Sequence, residues 1–393
     1  MNSHDAIITF NAGSSSLKFG LYTGRDEALA CMLHGSIRDL GEAAVFEHST
    51  GKEAQRLPQL ENHEQALAWL MDWLSGWLRQ HHPETRIIAA GHRVVHGGSD
   101  FTAPVRIDPR VLSRLHALVH LAPLHMPHNL ALVEAVQQQL PALPQVACFD
   151  TAFHHTMPWN EQHYALPHEW FDKGVRRYGF HGLSYEYIAA MLPEYLGKWA
   201  NARVIVAHLG HGASLCAMRN RQSLATTMGF TPLDGLPMAT RPGSIDPGIT
   251  GWLQREAGMG PDDIDSMLNY QSGLLALSGS SDDMRVLLAD KSDAARRAVD
   301  YFVHHTHRAL ASLVAVLGGL DALVFTAGIG EKSAAIRQKI CEQASWLGLE
   351  ISPASNAENN IKISTPGSRA SIWCIPTNEE IVIARHTRDL LAQ

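Results

Sequence analysis

The chain has 393 residues, which at ~100–200 residues per domain predicts two or three domains with ample core. Apolar residues make up 45% and charged residues 18%, and 32 Lys+Arg against 39 Asp+Glu leave a formal charge of −7. Disordered, collagen-like and coiled-coil readings drop out, and a mildly acidic chain without basic blocks argues against a nucleic-acid or anionic-membrane binder.

Residues 6–10 (AIITF) form a β-rich run, a polar turn spans Asn11 to Ser16, and a second apolar run reaches Tyr22; this is a strand–turn–strand signal. Residues 63–80 read as a helix. Asn62 can cap it, Gln65 stands where a capping-box partner would, and Leu67, Leu70, Leu74 and Leu78 recur at helical spacing. Trp69, Trp73 and Trp77 form a second stripe, which fits a helix packed on two sides better than a sugar-stacking surface. Residues 87–95 read as a buried strand running into His96-Gly97-Gly98, and 145–149 as another ending at Asp150. A strand over 203–209 leads through Gly210 to Ser214 into the apolar run Leu215–Met218. Residues 298–317 are helical, 322–326 form a strand running into Ala327–Glu331, and 372–375 form a last strand. A final helix opens after Pro376, with Thr377 or Asn378 as N-cap. The stretch from Ala309 to Gly330 is the most membrane-like, but Asp321 and Gly318-Gly319 divide it into a helix, a glycine stop and a buried strand. Strands and helices alternate, so the class is α/β. The five cysteines, Cys31, Cys148, Cys216, Cys341 and Cys374, are scattered and fit neither a disulfide framework nor a zinc knuckle. They suit a cytoplasmic protein, and the N-terminus lacks a signal-peptide pattern.

Two strand–turn–strand units stand about 200 residues apart, one around Asn11-Ala12-Gly13-Ser14 and one around His208-Leu209-Gly210-His211. They point to two related domains, against the competing reading that turns are simply rich in Gly and Ser. No P-loop is present: Gly13 to Lys18 lacks the second glycine, and Phe19 stands where Ser or Thr should be. Gly328-Ile329-Gly330 is half a dinucleotide fingerprint, with Ser333 in place of the third glycine and too little chain after it for the rest of that fold. What remains is a set of polar turns at strand ends, Asn11–Ser16, Gly210–Ser214 and Gly328–Gly330. Backbone N–H groups and hydroxyls there can approach a phosphate.

Arg93 lies within an apolar strand, where an unpaired arginine is expensive; its fork suits a phosphate or carboxylate, with a structural ion pair as the alternative. Arg241 lies in a loop with no helix or strand pattern to explain it. Asp150 and Glu379 are ordinary caps if taken singly, but in a phosphate site they could hold Mg²⁺. His181, between Phe180 and Gly182, could equally be a satisfied structural residue. From the residues alone, the chain reads as a magnesium-dependent phosphoryl-transfer enzyme.

Several strings, in order, resemble the acetate kinase family of short-chain carboxylate kinases: FNAGSSSLKF (10–19), GHRVVHGG (91–98), APLH (122–125), FDTAFH (149–154), RRYGFHG (176–182), TMGFTPLDGLPMATRPG (227–243), SGLLALSG (272–279), FTAGIGE (325–331) and PTNEE (376–380). The resemblance implies an actin/hexokinase-type (ribonuclease H-like) duplicated two-domain fold with the active site in the interdomain cleft. The first domain would comprise 1–150 plus 380–393, and the second, 151–379, would bind nucleotide and mediate dimerisation. The implied reaction is reversible transfer of the ATP γ-phosphoryl group to acetate, giving acetyl phosphate and ADP, with Mg²⁺ (Mn²⁺ as a substitute) and a homodimeric enzyme without nucleic-acid or membrane partners.

Carried over by position, Asn11 and Ser14 lie near the phosphoryl and metal site, with Ser16 and Lys18 on the nucleotide side. Arg93 and Arg241 hold the carboxylate and the transferring group, and His181 hydrogen-bonds that group in the transition state. Asn11, Asp150 and Glu379 position the metal, and Val95, Leu124, Phe180 and Pro232 surround the substrate methyl. The nucleotide rests on Asp283, Met284 and Arg285 and on Gly328, Ile329, Gly330 and Glu331, while His208, Gly210, His211 and Gly212 line its phosphates. The chain departs from the family's HLGNG at His211, from FHGTSH at Leu183 and Tyr185, from LHNP at Met126, and from RSGDID over Pro242–Asp246. Propionate or butyrate kinase activity on the same scaffold, and a nucleotide-binding regulator without turnover, are the alternatives.

Overall fold

A computed structural model describes residues 4–24, 29–51 and 53–392. The chain forms two compact units, one running to Ala152 and resuming at Asn378, the other spanning Phe153–Thr377. The sequence reading places the second domain at 151–379; in the structure Glu379 belongs to the first unit. The reason is local: Asn378 accepts a hydrogen bond from the Ile381 N–H and so caps the last helix, Glu379–Leu391, which packs on the first sheet.

The first unit is built on strands β1 (Asp5–Ala12), β2 (Leu17–Thr23), β3 (Ala30–Arg38), β4 (Val45–His48), β5 (Gln55–Arg56), β6 (Arg86–Val94), β7 (Val105–Arg106) and β8 (Gln145–Phe149). They form one sheet in the order β5-β4-β3-β2-β1-β6-β8-β7. β1 pairs antiparallel with β2 and parallel with β6, which continues parallel to β8. Side chains alternate across β1. Ala6, Ile8 and Phe10 enter a core under the helices His63–His81 and Met126–Gln139, while Ile7 packs with Tyr22 and Ala384 of the last helix. The helix His63–His81 carries Leu67, Leu70, Leu74 and Leu78 in the core, and Trp69, Trp73 and Trp77 stack in series beside them, with Trp69 and Trp73 edge-on to Phe46. The tryptophan stripe is thus packing. Asn62 caps this helix, while Gln65 accepts from the Glu61 N–H rather than from the cap residue itself.

The second unit has five strands, β9 (Val204–Leu209), β10 (Ala213–Arg219), β11 (Gln222–Thr226), β12 (Ala322–Thr326) and β13 (Ser371–Cys374), ordered β11-β10-β9-β12-β13. β9 and β10 are antiparallel, β10 and β11 antiparallel, and β12 is parallel to both β9 and β13. These are the order and directions of β3-β2-β1-β6-β8. The duplicated actin/hexokinase-type architecture is therefore visible in the two sheets themselves. The helix Asp293–Leu317 ends where Gly318 turns left-handed, and buried β12 follows, so the apolar stretch divides at the glycine pair. Among the described residues, no helix is long and apolar enough to cross a membrane.

Candidate active site

In the first unit the site is set by register. Asn11 at the end of β1 pairs with Lys18 of β2, and Phe10 pairs with His92, so Arg93 of β6 stands beside Asn11. Arg93 pairs in turn with Cys148 of β8, two residues before Asp150. The Arg93 guanidinium donates from Nε to both oxygens of Asp150 at 3.0 and 3.1 Å, from Nη2 to Oδ2 at 2.5 Å, and from Nη1 to Asn11 Oδ1 at 3.0 Å. Asp150 is 1% exposed. Burial opposes the charge on Arg93, but Asp150 outweighs it and pushes the pKa up. Arg93 is thus paired, while its side chain stays 22% exposed.

Glu379 opens the last helix near this pair. Its carboxyl is pushed up to about 7, first by burial and then by Asp150 and Glu380, with Arg93 and Lys18 opposing. The approach of that helix depends on Gly91: a Cβ there would run into Thr387 Oγ1 and lie 2.5 Å from Ile383 Cγ2. Asp150, Glu379 and Asn11 each offer oxygen donors, the type that suits a hard cation keeping most of its waters. Among the described residues, no three His, Cys, Asp or Glu side chains are grouped as a metal cage. Ser14 is exposed and Ser16 half-buried in the β1–β2 turn, and Lys18 is exposed. Val95 is buried after β6 and Leu124 half-buried before the helix Met126–Gln139.

In the second unit, His181 has left-handed backbone (φ 60°) as N-cap of the helix Gly182–Leu196. Such a conformation is uncommon outside glycine and concentrates at functional sites. Its ring stacks on His208 with centroids 4.1 Å apart. Its Nδ1 lies 2.8 Å from Ser214 Oγ, and His208 Nδ1 lies 2.8 Å from Ser184 Oγ. A Cβ on Gly212 would meet His181 Nε2 at 3.1 Å, so the phosphate-type turn lies against this imidazole. Arg241 is half-buried in its loop. That loop is shaped around Gly273 (φ 61°), whose missing Cβ would strike Met238 O and lie 2.7 Å from Arg241 O. Phe180 is buried, and Pro232 is half-buried in a segment held by Arg177, which donates to Thr227 O, Met228 O and Asp234.

A pocket of about 560 Å³ gathers Gly210, His211, Asp283, Met284, Arg285, Gly328 and Ile329. Of the expected nucleotide residues in this unit, His208, Gly212, Gly330 and Glu331 do not line it. His208 is instead buried beside His181, and Glu331 turns inward, its Oε1 accepting from the N–H groups of Ala327 and Thr377. The pocket adds Asp282, Phe302 and Lys332, which the sequence did not single out, and Ser333, which it marked only as standing where a third glycine would. His211 faces Asp282 at 3.3 Å. Asp283 caps the helix Met284–Ala289, and the Arg285 side chain bonds back to it, drawing its carboxyl down to about 2. Arg337, fully buried, donates to Gly330 O, Glu331 O, Asn356 and Asn359 and so fixes the far end of the Gly328–Glu331 turn.

A family model described as the Acetokinase family matches residues 6–385. The chain belongs to the acetokinase family. An acetate kinase of Rhodopseudomonas palustris is 50% identical over 391 residues, covering 97% of each chain. A propionate kinase structure from Francisella tularensis superposes with TM-score 0.91 at 38% identity, covering 98% of this chain and 99% of that one. An acetate kinase structure from Porphyromonas gingivalis gives 0.88 at 34%, covering 98% and 100%. The chain is accordingly a kinase with a carboxyl group as acceptor. Membership in the acetokinase family implies ATP and ADP as nucleotide substrates and a divalent metal.

Proposed function

We propose that the protein is an acetate kinase, moving the γ-phosphoryl group of ATP directly to acetate to give acetyl phosphate and ADP, reversibly. The observation that carries the reading is the Arg93–Asp150–Asn11 cluster beside Glu379: a held guanidinium next to an oxygen donor set is what an anionic acceptor and a metal-bound phosphate require. Acetate is already a nucleophile, so no strong base is needed; the work is positioning and charge stabilisation. Arg93 and Arg241 hold the carboxylate and the transferring group, and His181 donates a hydrogen bond to that group in the transition state. Val95, Leu124, Phe180 and Pro232 take the substrate methyl. Asn11, Ser14, Ser16 and Lys18 serve as phosphate-binding residues. His208, Gly210, His211 and Gly212 serve in the same role. The nucleoside end belongs to the pocket of Asp283–Arg285 and Gly328–Glu331. Mg²⁺, with Mn²⁺ as a substitute, is held by Asn11, Asp150 and Glu379; when bound, it supplies neutralisation of the phosphate charge. The working form is a cytoplasmic homodimer.

The similarity to a propionate kinase keeps a second acceptor in view, because one methylene in an apolar pocket discriminates only ~10–200-fold. The test is turnover with ATP and Mg²⁺ on acetate, propionate and butyrate, trapping acyl phosphate with hydroxylamine. Acetohydroxamate well above the others establishes the proposal. A larger yield from propionate or butyrate reassigns the acceptor, and no product from any acid refutes the carboxylate kinase reading.

A further inference from the structure

Two of the chain's departures from the family pattern fall on the helix behind His181, at Leu183 and Tyr185. The second is where a hydroxyl relay begins. Tyr185 is completely buried in the core of the second unit, packed with Ile188, Val206, Cys216 and Met218. Its hydroxyl reaches Ser214 Oγ at 2.5 Å, and the same Oγ lies 2.8 Å from His181 Nδ1. Ser214 is itself fully buried at the start of β10.

The directions of these bonds follow from counting protons. Burial holds Tyr185 well above the ordinary phenol range, so it keeps its proton. Among the described residues, Ser214 is the hydroxyl's one hydrogen-bond partner, and a buried donor is costly to leave unmade. Tyr185 therefore donates to Ser214. Ser214 has one proton of its own, and His181 Nδ1 is its remaining side-chain partner. That nitrogen must accept, so the imidazole proton sits on Nε2, the nitrogen next to Gly212 in the phosphate-type turn.

We infer that Tyr185 is a positioning residue: acting through Ser214, it fixes His181 in the Nε2–H form, with its donor turned to the phosphate turn. This inference rests on the proposed role of His181 toward a transferring phosphoryl group, where a donor is needed. A histidine at position 185 could itself exchange protons with the relay; a buried phenol gives it one direction.

The test is ¹⁵N NMR of the full-length enzyme labelled at histidine, with the His181 resonances assigned by their loss in His181→Gln. In the unaltered enzyme, Nε2 should appear as the protonated nitrogen and Nδ1 as the unprotonated one. In Tyr185→Phe, with Ser214 free to reverse, His181 should show a mixture of the two forms. Its kcat for acyl phosphate formation should fall ~10-fold, in the range seen when an outer hydrogen-bond partner is removed, with KM for ATP unchanged. A proton on Nδ1 in the unaltered enzyme overturns the inference, as does a Tyr185→Phe enzyme with the same tautomer and the same kcat. If Tyr185→Phe does not fold, the tautomer of the unaltered enzyme decides. An unaltered enzyme that shows Nε2–H but makes no acyl phosphate from any acid supports the relay and refutes the proposed function.

Discussion

A guanidinium near the end of a buried strand has to be paired, and Arg93 shows what the pairing leaves available. Three of its donors are spent on Asp150 and Asn11, yet a fifth of its side chain stays open. Arg93→Ala should lower acyl phosphate formation by ~10²-fold or more, as loss of a charge-stabilising donor does. It should also cost about 3 kcal/mol of stability, because Asp150 is left buried without its counter-ion. Turnover and urea unfolding measure the two effects separately; a loss of turnover with no loss of stability would mean that Asp150 is satisfied some other way. Arg93 was legible in the sequence because an arginine in an apolar run is anomalous. Its pairing with Asp150 was not, since the two are joined by β6–β8 register, 57 residues apart along the chain. Lys332 was missed for the opposite reason: a lysine at the exposed end of a helix is ordinary, and only the fold turns it into the wall of the pocket holding Gly328 and Asp283. Lys332→Ala should raise the KM for ATP ~10-fold, corresponding to about 1.4 kcal/mol, and leave the KM for acetate unchanged. An equal rise in both would move Lys332 out of the nucleotide site.

At the scale of elements, the readable pieces were those whose pattern is local. The leucine period of His63–His81, the apolar runs that open β9 and β12, and the glycine stop after Leu317 each announce themselves within a few residues. β3 does not: its burial alternates irregularly around a register shift opposite Leu21–Tyr22, and β5 and β7 are two residues each. β5 and β7, at the two edges of the sheet, exist because a neighbouring strand offers hydrogen bonds, which a sequence window cannot show. The unit boundary before Asn378 was obscured for a related reason, because the first sheet is covered by a helix from the far end of the chain. That covering is tight enough to test. Gly91→Ala would place a methyl group against Thr387 and Ile383, and the last helix would have to move off β6 with Glu379 at its start. A loss of about 1–3 kcal/mol is expected from overpacking of this kind, with turnover falling alongside. Circular dichroism melts of Gly91→Ala and of the control Gly76→Ala, where a Cβ meets nothing within 4 Å, should separate close packing from general glycine effects.

Over the whole molecule, the buried imidazoles set the acid limit. Burial holds His92 at about 4, His96 at about 3 and His154 at about 4, all below the ordinary histidine value. His92 and His96 belong to the first unit and His154 to the second. Between about pH 6.5 and those lowered values, the unfolded chain binds protons that the folded chain refuses. Stability from these groups is therefore complete above pH 6.5 and drains away as the pH falls toward 4, by up to about 1.4 kcal/mol per pH unit for each imidazole. Against a total of about 5–15 kcal/mol, three such groups matter well before the carboxylates protonate. Urea unfolding at pH 7, 6 and 5 should show the midpoint falling steadily. Because each unit contains at least one of these residues, neither should persist as an acid-resistant remnant. His154→Gln, which removes one imidazole from the second unit, should start from a lower stability at pH 7, having lost the bonds to Phe180 O and Ser223. It should then lose less on acidification than the unaltered chain. Equal slopes for the two proteins between pH 7 and 5 would show that His154 takes up its proton without unfolding.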